Sequence, residues 1–414
     1  MSPALASDTR AEPDVRGCTL AVPGGAQSET PRFRLPARGV AMMMPSRQSQ
    51  PTLPGYVAAL LAAALVVALP LVAQHVDGSA DEFSTERFAF VPAVGWAVCA
   101  ALAAVICTRH VQISARRTMQ VGSGLALAYD ALPVLLLTPW LIAVLAAWTG
   151  YFLLMTVAIA LCVYHVVLLV PRLMADPTPN WVPGAPVVSL VVANVFVDNQ
   201  TPADAAQQLV GSGGDVVVIV ESTADFMTVF DSQGGADTYP NRVVDPDTGS
   251  DYAVALVTNR TLGPRSQFCT IGALRVVLAE IETDGANLLV VALNPMATFD
   301  SGGHETWMEQ LQALEDFLPT LDGPVVLAGD LNSTRFRPEF GRIMALGYTD
   351  AIDALGKGLS ASFKLAAGSA LGGVVRLDHA LTNSEVHGVS MKNLKACGSD
   401  HLPFQVELAV RVSR

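Results

Sequence analysis

The sequence predicts an α/β protein in two parts: N-terminal transmembrane helices, then a domain of two packed sheets with helices outside. Three observations lead there. The chain is 51% hydrophobic with a mean hydropathy of +0.42, and the apolar excess is concentrated before residue 175. After residue 186, apolar or β-branched runs of strand length recur with helical stretches between them. Residues 174–186, Met-Ala-Asp-Pro-Thr-Pro-Asn-Trp-Val-Pro-Gly-Ala-Pro, form a Pro-rich linker between the two parts.

Residues 1–50 are rich in Arg, Pro, Ser and Gly without periodicity, the composition of a disordered tail. Spans are predicted at about 54–74, 88–108, 131–148 and 151–171, nearly free of charge. Their lengths match the roughly 20 residues a helix needs to cross a bilayer. Asp130 sits near a span end, and His165 lies inside the last span, where a hydrogen bond between helices is expected. Arg10, Arg16, Arg32, Arg34, Arg38 and Arg47 precede the first span, the loop 75–87 is acidic, and Arg109, Arg116 and Arg117 follow the second. The positive-inside rule then puts the N-terminus and the second loop in the cytoplasm. Four complete spans return the C-terminal domain to the cytoplasm. The hinge Trp148-Thr149-Gly150 is short enough for a re-entrant span, and an odd count exports the domain.

Residues 187–414 are long enough for a substantial core in one unit. Strands are predicted at 187–197, 216–220, 252–257, 274–281, 288–293, 325–328 and 404–412, and helices at 203–210 and 305–318. The second helix carries Trp307, Leu311, Leu314 and Phe317 on one face. Such an order suits two packed sheets covered by helices. Cys269 and Cys397 are the domain's two cysteines, and a disulfide between them and a pair of buried thiols are both open. The domain holds 14 Lys and Arg against 27 Asp and Glu. That sign disfavours nonspecific binding of a nucleic-acid backbone. Arg335, Arg337 and Arg342 offer either a local phosphate-facing patch or a solvated helix start.

The most informative run is Gly329-Asp330-Leu331-Asn332-Ser333-Thr334, directly after the apolar 325–328. Side chains alternate along a strand, so Asp330 and Asn332 point the same way at its end. Further on, Leu377-Asp378-His379 and Ser399-Asp400-His401-Leu402-Pro403 supply carboxylates and a histidine. Upstream, Asn194 ends the first apolar run and Glu221 follows Asp215-Val216-Val217-Val218-Ile219-Val220. With these five landmarks in order, residues 187–414 resemble the endonuclease/exonuclease/phosphatase superfamily, of the deoxyribonuclease I-like fold. Spans followed by a Pro-rich linker are similar to a bacterial membrane-anchored branch, for which the resemblance implies an extracytoplasmic domain.

The resemblance implies a divalent-metal-dependent phosphoesterase that cleaves a phosphodiester or phosphomonoester. Glu221, Asn194 and Asp400 would hold Mg2+, with Mn2+ as a substitute. Asp330 would activate water, Asn332 would position it or the phosphate, and Asp378 would orient His401 toward the phosphate. Asn194 also stands among the phosphate-binding groups. The adjacent His379 faces the other way and is expected to be non-catalytic, and His304 to be a solvated loop residue. In one place the chain departs from the family pattern. In Val290-Val291-Ala292-Leu293-Asn294-Pro295, Asn294 stands where the family usually has His, and an amide transfers no proton at neutral pH. A weakened member that binds a phosphorylated ligand or partner is therefore the alternative reading. Lipid headgroups, phosphorylated small molecules and nucleic acid remain the candidate substrates.

Overall fold

The computed structural model describes residues 90–114, 123–247, 249–298, 303–364, 373 and 375–412. The expected tail 1–50 and the first span 54–74 lie outside them. Helices run over Phe90–Ser114, Ser123–Asp130, Leu132–Leu135, Thr138–Thr149 and Phe152–Leu169, the last continuing as a 3-10 turn over Val170–Leu173. Among the described residues three stretches, Pro92–Ser114, Leu132–Thr149 and Phe152–Leu173, are long and apolar enough to cross a membrane. The middle one is interrupted at Leu136-Leu137, because a proline stands in the first turn of both of its pieces. Gly150, at φ 80°, ends it in the left-handed conformation that lets the chain double straight back. Trp140 Nε1 donates to His165 Nδ1 at 3.2 Å, so the histidine of the last apolar helix is bonded between helices as expected.

Among the described residues, twelve strands follow the linker. They are β1 (Val187–Asn194), β2 (Val216–Val220), β3 (Asn241–Val244), β4 (Val254–Thr258), β5 (Gln267–Ile271) and β6 (Leu274–Thr283), then β7 (Ala286–Leu293), β8 (Val325–Asp330), β9 (Thr349–Asp350), β10 (Asp378–Thr382), β11 (Val386–Asn393) and β12 (Phe404–Val410). They form two six-stranded sheets, β11-β12-β1-β2-β4-β3 and β5-β6-β7-β8-β10-β9. Read from opposite ends, the sheets share one pattern of strand directions. Each has a single parallel pair, β1 with β2 and β7 with β8, flanked by antiparallel neighbours.

Side-chain alternation divides each central strand between two cores. Val216, Val218 and Val220 of β2 point into the space between the sheets, together with Val290, Ala292, Val326 and Ala328. Val217 and Ile219 point outward, beneath the helices Pro202–Val210 and Ala224–Ser232. On the other sheet, Trp307, Leu311 and Leu314 of the helix Gly303–Phe317 cover Val291, Leu293 and Leu327. Strands covered on both faces read as continuous apolar runs, which is why these were legible in the sequence. The short or polar strands β3, β5, β9, β10 and β11 were not. β11 leaves Val389, Ser390, Lys392 and Asn393 exposed, and β10 opens with Asp378 and His379, residue types that mask a buried strand.

Cys397 is a free thiol, so a bond between Cys269 and Cys397 is not formed. The link that matters near β10 is ionic. Asp350, fully buried, accepts from Ile352 N–H at 2.9 Å, lies 2.8 Å from His379 Nδ1 and 3.4 Å from Arg335 Nη2, and caps the short helix Ala351–Ala354. Burial alone would raise its carboxyl. The hydrogen bond and charge of His379, with Arg335 and Arg376, outweigh burial and hold it down at about 2. A depressed carboxyl stabilises the fold above its ordinary value near 3.8 and loses that contribution as pH falls through about 2. Asp350→Asn is therefore expected to melt several degrees below the parent at pH 7, with the gap narrowing steadily between pH 4 and pH 2 (about one to a few kcal/mol for a broken buried pair). Thermal unfolding across that pH range checks it, and a constant gap would refute the assignment.

Candidate active site

The parallel pairs place strand ends from both sheets at one rim of the sandwich. β1 ends on Asn194, level with Val220 of β2, so Glu221 comes next to it. β7 and β8 pair Leu293 with Gly329, so Asn294 and Asp330 emerge together. β10 runs antiparallel to β8 with Asp378 opposite Asp330 and His379 opposite Gly329. Facing partners share a face, so the two aspartates meet while His379 turns away.

Gly329 is needed for that register. Its φ is 145°, and a Cβ there would lie 2.0 Å from the carbonyl oxygen of Leu293. Three other site residues take the left-handed conformation without being glycine: Phe196 (φ 63°), Glu221 (φ 60°) and Asn332 (φ 47°). Such strain persists where surrounding bonds over-determine it, and it gathers at functional sites. The bonds are visible here. Asp330 Oδ1 accepts from Asn332 N–H at 2.8 Å, and Asn332 Nδ2 donates to the Pro295 carbonyl at 2.9 Å. Glu221 Oε2 accepts from Val197 N–H at 2.7 Å, and Asn194 Oδ1 accepts from Phe196 N–H at 3.0 Å.

Asn194 joins the two sheets. Its Nδ2 donates to Glu221 Oε1 at 2.8 Å and to Asp330 Oδ2 at 3.2 Å. His401 completes the group from the turn before β12. Its Nδ1 lies 2.6 Å from Asp378 Oδ2, and its Nε2 faces Asp330 Oδ2 at 3.6 Å. Phe363 packs against the ring in a T-shaped contact at 5.1 Å.

Electrostatics follow from this crowding. Burial first, and the neighbouring Asp378 charge second, push the Asp330 carboxyl up to about 7. Asp378 is held below the usual carboxylate range, because His401, Ser362 and Arg376 outweigh its burial. Burial disfavours the His401 cation, yet Asp378 and Asp330 override it and push the ring up to about 10. Glu221 and Asp400 are both raised, chiefly by burial. Asp378 Oδ1 and Asp400 Oδ1 are buried without a hydrogen-bond partner. A rim with this surplus of carboxylate oxygen, two of its oxygens orphaned, fits a hard divalent cation.

Seven of the eight residues singled out from the sequence converge here: Asn194, Glu221, Asn294, Asp330, Asn332, Asp378 and His401. Asn294 Oδ1 accepts from Asn332 Nδ2 at 3.4 Å. Asp400, the eighth, stands half-buried at the edge of the rim beside His401; like Glu221, it lies outside the close group of Asp330, Asp378 and His401, whose ligand atoms fall within 4.8 Å of one another. His379 is fully buried, set between Asp350 and the Ser333 carbonyl, to which Nε2 lies 3.0 Å, and acts as a brace. His304 opens the helix Gly303–Phe317 and stacks on Trp307.

Neither a phosphate-facing patch nor a solvated helix start is present: Arg335, Arg337 and Arg342 are buried. Arg335 pairs with Asp350 and Asp353, Arg337 with Asp130, and Arg342 with Glu315 and Glu339. Sequence reading missed Ser362 and Ser399. Ser362 Oγ accepts from the Asp378 N–H at 3.0 Å, and Ser399 Oγ donates to the Asn194 carbonyl at 2.8 Å. Ser399 was visible in the Ser-Asp-His run, whereas nothing near Ser362 marked it.

Solved structures similar to this chain include Danio rerio TDP2 complexed with a single-strand DNA product, at 19% identity and a TM-score of 0.44, covering 54% of this chain and 98% of that one. An endonuclease/exonuclease/phosphatase from Beutenbergia cavernae is similar at 15% identity and a TM-score of 0.42, covering 54% and 72%. A Staphylococcus aureus beta toxin variant with bound magnesium ions gives 18% identity and a TM-score of 0.40, covering 53% and 98%. No curated protein sequence matches the chain. The Endonuclease/Exonuclease/phosphatase family model matches residues 191–401, half of the chain and every strand end that forms the rim, and the chain belongs to that family.

Proposed function

We propose that this protein is a membrane-anchored, divalent-metal-dependent phosphoesterase acting on a phosphodiester or phosphomonoester. The observation that carries the reading is the meeting of Asn194, Glu221 and His401, at the strand ends of one sheet, with Asp330 and Asp378 of the other. Glu221 and Asn194, with Asp400 nearby, would hold Mg2+ or Mn2+; bound there, the ion supplies charge neutralisation on the phosphoryl oxygens and the leaving oxygen. Asp330, Asp378 and His401 are close enough to be ligands themselves. We assign that group to proton handling, because His401 Nδ1 and Asp378 are already bonded at 2.6 Å and a hard cation prefers oxygen.

Asp330 accepts the proton of the attacking water, its carboxyl poised near neutrality by burial and by Asp378. Asn332, its backbone fixed by Asp330, presents its amide to the water or a phosphoryl oxygen. Asp378 holds the His401 ring so that Nε2–H points at the reacting group, where the cation binds phosphate. Asn294 donates a hydrogen bond at most, so the leaving oxygen takes its proton from solvent or from His401. Three apolar helices before the domain support anchoring to the bilayer. A phosphorylated lipid headgroup, small molecule or nucleic acid is the substrate class.

The test is hydrolysis of aryl phosphodiesters and phosphomonoesters by the full chain in detergent, with Mg2+, with Mn2+ and with EDTA. Metal-dependent turnover is expected, and EDTA should abolish it. Asp330→Ala should lower kcat by about 10²–10⁴-fold with the fold intact. A variant as active as the parent would sink the mechanism. Asn294→His should raise kcat by up to about 10²-fold on poor leaving groups and little on activated aryl esters. An unchanged ratio between the two substrates would remove Asn294 from the leaving-group role. A folded chain that binds Mn2+ without turnover would favour a binding protein, the reading Asn294 supports.

A further inference from the structure

We infer that Asp130, which belongs to the membrane region, is a positioning residue for the catalytic turn, so that the rim is complete only when the apolar helices are docked on the domain. The inference rests on the phosphoesterase reading. It starts from how residues 330–334 are held. Trp307 Nε1 donates to the Leu331 carbonyl at 2.9 Å, and His379 Nε2 lies 3.0 Å from the Ser333 carbonyl. These two braces come from the domain itself. The third comes from outside it. Asp130 Oδ1 accepts from the Thr334 hydroxyl at 2.7 Å and from the Thr334 N–H at 3.3 Å.

The same carboxylate holds Arg337. Asp130 Oδ2 accepts from Arg337 Nε at 2.8 Å and from Nη2 at 2.5 Å. Nη2 also donates to Thr298 Oγ1 at 3.1 Å, in the loop that begins with Asn294. The guanidinium lies 4.8 Å from the centre of the Trp307 ring, itself the brace on Leu331. One side chain of the membrane region thus fixes both loops that carry Asn294, Asp330 and Asn332. Arg337 is only 2% exposed, so among the described residues Asp130 is the carboxylate that balances it.

The surrounding contact is a built joint. Asp130 ends the helix Ser123–Asp130, immediately before the apolar stretch Leu132–Thr149. Alongside it, Arg109 Nε donates to the Phe336 carbonyl, and Phe336 buries its ring among Leu102, Ile106 and Leu161 of the apolar helices. Arg342 Nη1 donates to the Gln112 carbonyl at 3.3 Å, and a Cβ on Gly341 would meet Ile113 at 2.9 Å. The segment after the catalytic turn is therefore wedged against the membrane helices by charge, by packing and by a close backbone approach.

The experiment uses the full chain in lipid nanodiscs and compares Asp130→Asn and Thr334→Val with the parent. Two readouts are taken: kcat and KM on an aryl phosphodiester with Mg2+, and hydrogen exchange of the amides at 331–334. Asn cannot balance Arg337, and Val keeps the shape of Thr while removing the 2.7 Å bond. Both variants should lower kcat by about tenfold to a hundredfold with KM nearly unchanged, and speed exchange at 331–334 while β1 stays protected. Arg337→Gln added to Asp130→Asn should recover part of the kcat loss, since the uncompensated charge is removed. If the parent shows no turnover but exchange at 331–334 still rises in both variants, the positioning role stands and the phosphoesterase reading fails. An active parent whose variants keep kcat within twofold, with the turn still protected, overturns the inference. Should Asp130→Asn fail to fold, Thr334→Val alone decides between these outcomes.

Discussion

The rim depends on one buried arrangement of charge: the His401 cation between Asp378, at 2.6 Å, and Asp330, at 3.6 Å. Removing His401 would leave two buried carboxylates facing each other, and removing Asp378 would strip the His401 ring of its 2.6 Å partner, each costing far more than an exposed pair gives. The arrangement requires both sheets, because Asp330 and Asp378 end one while Asn194 and the turn before His401 belong to the other. Everything around it serves that convergence. Gly329 lets β8 press against Leu293, Ser362 and Ser399 pin the chain on either side, and Asp350 with His379 supports the turn from beneath.

Strain and burial act together here. Glu221 and Asn332 sit at left-handed φ values, each with hydrogen bonds that fix it. A turn held open this way presents its side chains already oriented, so little reorganisation would remain if a phosphate ester bound there. The raised Asp330, Glu221 and Asp400 carboxyls are the electrostatic counterpart. They are the groups a divalent cation or a phosphate-bound water would stabilise in the ionised form.

The apolar helices are continuous with this machinery. Arg335, Phe336 and Arg337 follow the turn 330–334 without a break, and each leaves the rim for a different support: Asp350 with Asp353, the apolar helices, and Asp130. A basic run beside a catalytic motif invites a reading as phosphate ligands. In this fold Arg337 and Arg342 fasten the domain to the helices before it, while Arg335 is tied to Asp350 and Asp353 within the domain.

By itself the sequence determined the two-part organisation, the central strands and the identity of most of the rim. Strands buried on both faces must be continuously apolar, and the residues that interrupt them at their ends, Asn194, Glu221 and Asp330, stand out for that reason. Tertiary structure decided what local pattern does not encode. The register of β10 against β8, which sets Asp378 on Asp330 and turns His379 away, depends on pairing between segments about fifty residues apart. The fates of Arg335, Arg337 and Arg342, and the reach of Asp130 across more than two hundred residues to Thr334, depend on which buried charges meet in space. A charged residue in a sequence advertises the need for a partner, and only the packed chain supplies it.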